Sequence, residues 1–224
     1  MLRRLLKIFP ERSFIMKSTD QCEIESLPHA APAGPRLLPI EFSGVAECDP
    51  GHAQRIVEAA VDILCQGEDL LRALTPESYT KRVPAVFDAS IGGHYRHCLD
   101  HFTSLLRALD ADEVDYDHRK RDPRIETQPQ FALMLTMQMR RTLTELVPDT
   151  LCHEVNARCE VSYDHGNSPV TKSTLARELV YCIAHAIHHY ALISVMARLM
   201  AVTLPEHFGV APSTVAHQRS LAGK

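Results

Sequence analysis

Four stretches of this chain carry apolar residues at helical spacing, and that pattern leaves room for little besides long helices packed against one another. From Gln54 to Leu74 the residues Ile56, Ala60, Ile63, Leu64, Leu70, Leu71 and Leu74 recur with a helical period until Thr75-Pro76 stops them. A second helix is expected from about Ser90 to Leu109, where Ile91, Tyr95, Cys98, Phe102, Leu105 and Leu109 form one stripe. A third runs from Gln130 to Val147, with Leu135, Met139, Leu143 and Leu146 on one face and Pro148 as its stop. The fourth follows the capping candidates Thr171 to Thr174 and continues to about Thr203, before Leu204-Pro205. It is apolar on nearly every side, as a helix surrounded by neighbours should be. The expected fold is therefore all-α, a four-helix bundle with longer connections after the second and third helices.

Between these helices the signals are weaker. The charge-dense, proline-containing stretch Asp110 to Pro129 reads as a connection, and near-alternating apolar residues between Leu151 and Asp164 suggest a short strand or hairpin. Residues 1–50 hold a proline-rich segment without a sustained period and read as an extended N-terminal arm. Residues 51–205 form the expected bundle, and 206–224 a C-terminal tail, drawn as a plain loop or as a segment folded back over the bundle mouth.

With 224 residues, 45% of them hydrophobic and 23% charged, the chain can bury one good core. A formal net charge of -4 gives no basic footprint for nucleic acid. The basic, apolar N-terminus is cut short by Pro10 and Glu11 before a signal-peptide core or a membrane span could form, so no membrane partner is expected. The 7 cysteines are odd in number and lack any Cys-x-x-Cys pair, which speaks against a disulfide framework and a cysteine zinc knuckle and points to a reducing cytoplasm.

The residues with chemical promise are histidines. His97 and His101 in the second helix, and His185 and His189 in the fourth, are each spaced to stack two imidazoles on one helix face. At 100° per residue His185 and His189 fall about 40° apart, on a line that also carries Glu178 and Met196, while His188 turns about 100° away. Imidazole ligands in helical bundles come from facing helices, so a three-histidine site would join His185 and His189 to one of His94, His97 and His101.

The segment Gly92-Gly93-His94-Tyr95-Arg96-His97-Cys98-Leu99-Asp100-His101-Phe102, followed later by Arg177-Glu178-Leu179 and His185-Ala186-Ile187-His188-His189-Tyr190, resembles the DinB-like superfamily of metalloproteins over about residues 50 to 205. The resemblance implies a four-helix bundle with one metal-ligating histidine in the second helix and an His-x-x-x-His pair in the last. It carries His185 and His189 over directly. His97 is favoured as the third ligand, because the similar His-x-x-His segment of the related ergothioneine-biosynthesis proteins uses its second histidine. The polar run that usually ends the family's last motif is replaced here by Tyr190-Ala191-Leu192.

Three imidazoles leave a divalent ion, zinc or nickel rather than iron, with open positions, which can lower the pKa of water toward 7 or take a thiolate. A metal-dependent hydrolase or thiol S-transferase acting on a small molecule is then expected. The glutamate that follows the first histidine in zinc peptidases is missing, and so are the Glu-x-x-His pairs of di-iron bundles. Glu178, two turns before His185, is the candidate base or ligand-orienting group; its alternative role is a first-turn glutamate favoured by the helix dipole. Cys98 and Cys182 lie near the histidine faces as small core residues or, less expectedly, thiolate ligands. The run from Tyr116 to Arg124 reads as a solvated loop, the alternative being that Arg119, Arg121 or Arg124 clamps a carboxylate or phosphate. Two further readings are a non-enzymatic stress-response or interaction protein whose histidines merely pack, and a homodimer formed through the apolar last helix.

Overall fold

The computed structural model describes residues 49–163 and 167–223. Most of the arm expected over residues 1–50, and part of the expected hairpin turn around His165, lie outside them.

Helix α1 (Pro50–Ala73) begins where the Asp49 carboxylate accepts a hydrogen bond from the Gly51 amide, with Pro50 at the first helical position where its missing N–H costs nothing. After Leu74 the chain turns into the short helix α2 (Pro76–Thr80), capped reciprocally by Thr75 and Ser78. A two-residue hairpin, β1 (Arg82–Val83) with β2 (Ala89–Ser90), leads into α3 (Ile91–Arg107), whose cap is Ser90 Oγ accepting from Gly93 N at 3.0 Å. Next come β3 (Glu113–Asp115), the short α4 (Pro123–Thr127), α5 (Pro129–Thr144) and a 3-10 turn over Pro148–Cys152. Strands β4 (Glu154–Arg158) and β5 (Val170–Thr174) then precede α6 (Leu175–Leu199), capped by Thr174, and α7 (Pro212–Ala222) closes the described chain.

The protein is mostly helical, and its four long helices are those that the apolar periods mark. Each of α1 and α3 packs on both α5 and α6. Their facing side chains form one buried core, including Leu64 and Leu71 from α1, Tyr95, Leu99 and Phe102 from α3, Leu143 from α5 and Ile193 from α6. Tyr95 and Tyr190 lie parallel with ring centroids 6.2 Å apart; Tyr190 Oη donates to the Ile63 carbonyl, and Tyr95 Oη shares a hydrogen bond with Thr136. Both phenol oxygens abut Gly67, where an added Cβ would lie 2.4 and 2.5 Å from them. By length and composition α6 could cross a membrane; here it is the helix against which α1 and α3 pack.

The strictly all-α expectation needs correcting. Strand β4 pairs in parallel with β3 and antiparallel with β5, giving a three-stranded sheet in the order β3-β4-β5 with Asp115 opposite Arg158 and Glu154 opposite Thr174. Thr171, Lys172 and Ser173 are strand rather than capping residues, and Thr174 alone acts as the helix cap. The Ser173 side chain turns toward α6 instead. The stretch from Asp110 to Pro129 is likewise more than a connection, since Val114, Tyr116 and Ile125 are buried in the core. In the tail, Phe208 is buried and stacks on Tyr190 at 4.8 Å, so this segment folds back onto α6 before becoming α7. Cys65, Cys98, Cys159 and Cys182 are free thiols, and Cys152 is disulfide-bonded.

Candidate metal centre

Histidines from two helices meet where α3 faces α6. The helical period puts His94, His97 and His101 on the side of α3 that looks toward α6, while His185 and His189 answer from the opposite helix. Ring centroids lie 4.9 Å apart for His97 and His185, 4.7 Å for His97 and His189, and 4.6 Å for His185 and His189. Ligand nitrogens of these three all fall within 4.8 Å of one another, forming a group that could hold a metal ion. Tetrahedral ligands at about 2.0–2.1 Å from zinc stand roughly 3.3 Å apart, so the rings would have to move inward to close on an ion. His188 is exposed, as its angular position predicts.

The remaining α3 histidines surround the three. His94 Nδ1 and His189 Nδ1 are hydrogen-bonded at 3.0 Å, and if His189 is the donor its Nε2 lone pair is left for an ion. His101, 4% exposed, lies with its ring 4.0 Å from that of His185 and stacks on Tyr116 at 5.0 Å. His185 Nε2, His94 Nε2 and both His101 nitrogens are buried without a hydrogen-bond partner. Orphaned imidazole nitrogens clustered at one place are the donor chemistry that a divalent ion requires.

Electrostatics favour the ligating form. Burial, reinforced by neighbouring cationic and imidazole groups, pushes His97 and His189 down to about 3 and His185 to about 4, and lowers His94 as well. Burial likewise drives His101 to about 2. These rings are therefore neutral at physiological pH, the state in which imidazole binds metal. The two buried cysteines behave oppositely: burial raises Cys182 to about 12 and Cys98 further still, which keeps both as thiols rather than thiolate ligands.

Glu178 is placed apart from the three rings. It is 7% exposed, with Oε2 accepting from Tyr116 Oη at 2.8 Å and Oε1 from Ser173 Oγ at 2.5 Å. No described carboxylate hydrogen-bonds to His97, His185 or His189. Glu178 is linked to the centre through Tyr116, which stacks on His101. Glu178, Tyr116 and Tyr181 also line a cleft of about 170 Å³ together with Cys159.

Arg119 is the arrival that spacing did not select. The loop after β3 is fixed by Asp115, whose carboxylate accepts from the amides of Asp117 and His118, and by Tyr116 N donating to the Arg158 carbonyl. It delivers Arg119 Nη1 to His97 Nδ1 at 2.8 Å. Arg124 instead pairs with Asp122 and covers the Phe131 ring, and Arg121 is exposed.

The DinB family model matches residues 60–213, well over half of the chain. The chain belongs to the DinB family. That match spans α3 and α6 with all of the clustered histidines, so the DinB resemblance and the three-dimensional cluster coincide. A more distant likeness is to FK506-binding protein 5 of Rhizopus delemar, 31% identical over 104 residues. Those residues are 46% of this DinB chain but 27% of the relative, so the chain spans about a quarter of that protein's length.

Proposed function

We propose that this DinB-family protein is a four-helix-bundle metalloprotein that binds one divalent ion through His97, His185 and His189 and acts on a small molecule at that ion. The observation that carries the reading is the approach of three neutral imidazoles, from two adjacent helices, to within 4.8 Å of one another. An all-nitrogen donor set suits zinc or nickel, and it lacks the carboxylate of the facial triads that hold non-haem iron.

An ion held by His97, His185 and His189 would supply Lewis acidity, suited to lowering the pKa of a thiol or to polarising a carbonyl. The chain's own residues favour one of the two chemistries. Hydrolysis calls for a general base beside the reacting water, and the candidate, Glu178, has both carboxylate oxygens engaged by Tyr116 and Ser173. Thiol transfer needs no such base, so S-transfer is the better-supported reaction. His94 orients His189, and the Glu178–Tyr116 pair holds His101 against His185. Glu178 is thus a positioning residue. The activity of the much longer FK506-binding relative is not carried over.

The test is metal analysis of tag-free protein. About one equivalent of zinc or nickel is expected, as isolated or after reconstitution, and less than about a tenth would refute the reading. A packing role for the histidines is the second reading, favoured by the protein partners that His97 and His189 already hold. It requires His189→Ala to leave metal content and thermal midpoint alike unchanged; ligand loss would lower both.

A further inference from the structure

We propose that Arg119 is the substrate-anion receptor of the histidine centre, and that the small molecule handled there carries a carboxylate. This inference rests on the three-histidine metal reading and adds to it the substrate class.

The argument starts from a single lone pair. A guanidinium is always charged and can only donate, so the 2.8 Å contact from Arg119 Nη1 obliges His97 Nδ1 to accept. A neutral imidazole has one lone pair, so the proton of His97 then sits on Nε2 and the ring has nothing to offer an ion. If His97 ligates through Nδ1, Arg119 is displaced. If it ligates through Nε2, the proton moves to Nδ1 and two donors face each other. Either way metal uptake releases Arg119 from His97.

Beyond its bond to His97, Arg119 is held by no carboxylate ion pair among the described residues. Arg96 and Arg140, also partly buried, pair with Asp100 and Glu126, and with Glu68, respectively. Arg119 makes no ion pair among the described residues, and its Nε is buried without a hydrogen-bond partner. The cost of a desolvated, unpaired charge rises further once a dication with three neutral ligands sits beside it. An anion bridging the two relieves both charges. The guanidinium edge presents parallel N–H donors that match the two oxygens of a carboxylate.

Two carboxylates could compete internally: Asp100, which feels the Arg119 charge but is already paired with Arg96, and Asp117. Asp117 Oδ1 accepts from Glu160 N, but its Oδ2 is buried and unpartnered, two residues from Arg119. If Asp117 captured the released guanidinium, no external anion would be needed.

Cobalt(II)-loaded full-length protein, followed by its visible d–d absorption, separates these cases, with acetate as the probe. Wild-type protein should bind cobalt and then show a saturable spectral change with acetate. Arg119→Met should bind cobalt more tightly in acetate-free buffer, since a competitor for the His97 lone pair is gone, yet bind acetate about 10- to 100-fold more weakly. Arg119→Lys, which keeps the charge but loses the fork, should fall between them and guards against a folding defect in the methionine variant. Asp117→Asn should leave acetate affinity unchanged. Unaltered acetate affinity in Arg119→Met, absence of any acetate response in wild type, or tighter acetate binding in Asp117→Asn would each overturn the proposal. Failure of wild-type protein to take up cobalt would overturn the metal reading, and this inference with it, before acetate is added.

Discussion

Acidification should unfold the metal-free protein in a pH window that belongs to the histidine cluster. In the unfolded chain each imidazole titrates near 6.5, whereas in the fold His97 and His189 are held near 3 and His185 near 4, with His101 lower still. Their folded values are depressed, so below pH 6.5 the unfolded chain binds protons that the native protein refuses, and stability falls as pH falls. One such ring removes about 1.4 kcal/mol per pH unit once the pH is well below 6.5. The rings are coupled and most are only partly buried, so counting two of the four is a suitable discount; the loss between pH 6.5 and 5 is then about 3 kcal/mol. That is a large part of the roughly 5–15 kcal/mol that holds a domain of this kind together. The carboxylates held low lose their contribution at more acid pH, and Asp100, raised by burial, acts in the opposite sense and makes the net loss smaller. Asp122 is held low by hydrogen bonds from Arg124, and at Glu68 burial is outweighed by the hydrogen bonds from Arg140 and Arg72, so their contributions are lost as the pH falls from the ordinary carboxylate pKa toward the lowered one. Urea midpoints measured between pH 7.5 and 4.5 on chelator-treated protein provide the assay, and a linear-extrapolation stability that stays flat from pH 7 to 5 would refute the reasoning.

Two substitutions probe the surroundings of the centre. Tyr116→Phe removes the donor to Glu178 Oε2 and leaves a buried carboxylate with Ser173 alone, which should cost about 1–3 kcal/mol of stability without changing metal stoichiometry. Glu178→Gln should also retain the metal; loss of metal in that variant would make Glu178 a ligand-holding residue and contradict its placement. Gly209 has φ +70 and its Cβ would lie 2.5–2.7 Å from the Tyr190 and Ala191 backbone. Gly209→Ala should therefore undock Phe208 from Tyr190 and lower stability by about 2–4 kcal/mol, measurable as a shifted urea midpoint, and an unchanged midpoint would refute the docking.

The helices and the His185–His189 pair were legible in the sequence because both depend on local periodicity. A 3.6-residue repeat places side chains on a face whatever the rest of the chain does, and Thr75-Pro76 and Pro148 punctuate it. The choice among His94, His97 and His101 was not local. All three share the α6-facing side of α3, and only the height of α6 brings His97 level with both partners while His101 sinks beside Tyr116. The resemblance, rather than the spacing, singled out His97. The sheet was the least legible element. Strand β5, Val-Thr-Lys-Ser-Thr, is largely exposed and has no apolar alternation, and β3 is three residues long inside a charge-dense run.

That sheet is what converts a pair of histidine-bearing helices into a site with a second side. Strand β5 runs directly into the Thr174 cap of α6, β4 lies between β5 and β3, and β3 releases the chain at Tyr116. The register of two strand pairs therefore sets the height of the 116–119 loop against α6. A one-residue slip of β3 would shift the loop by about 3.3 Å and turn alternate side chains to the other face. Tyr116 would then miss Glu178, and Arg119 would miss His97. The buried Tyr116–Glu178 hydrogen bond, which joins the end of β3 to the first turn of α6, opposes that slip, because breaking it strands a carboxylate in the core. Glu178 thus helps to fix the register that brings Tyr116 and Arg119 to the histidine cluster, although it stands two helical turns from His185.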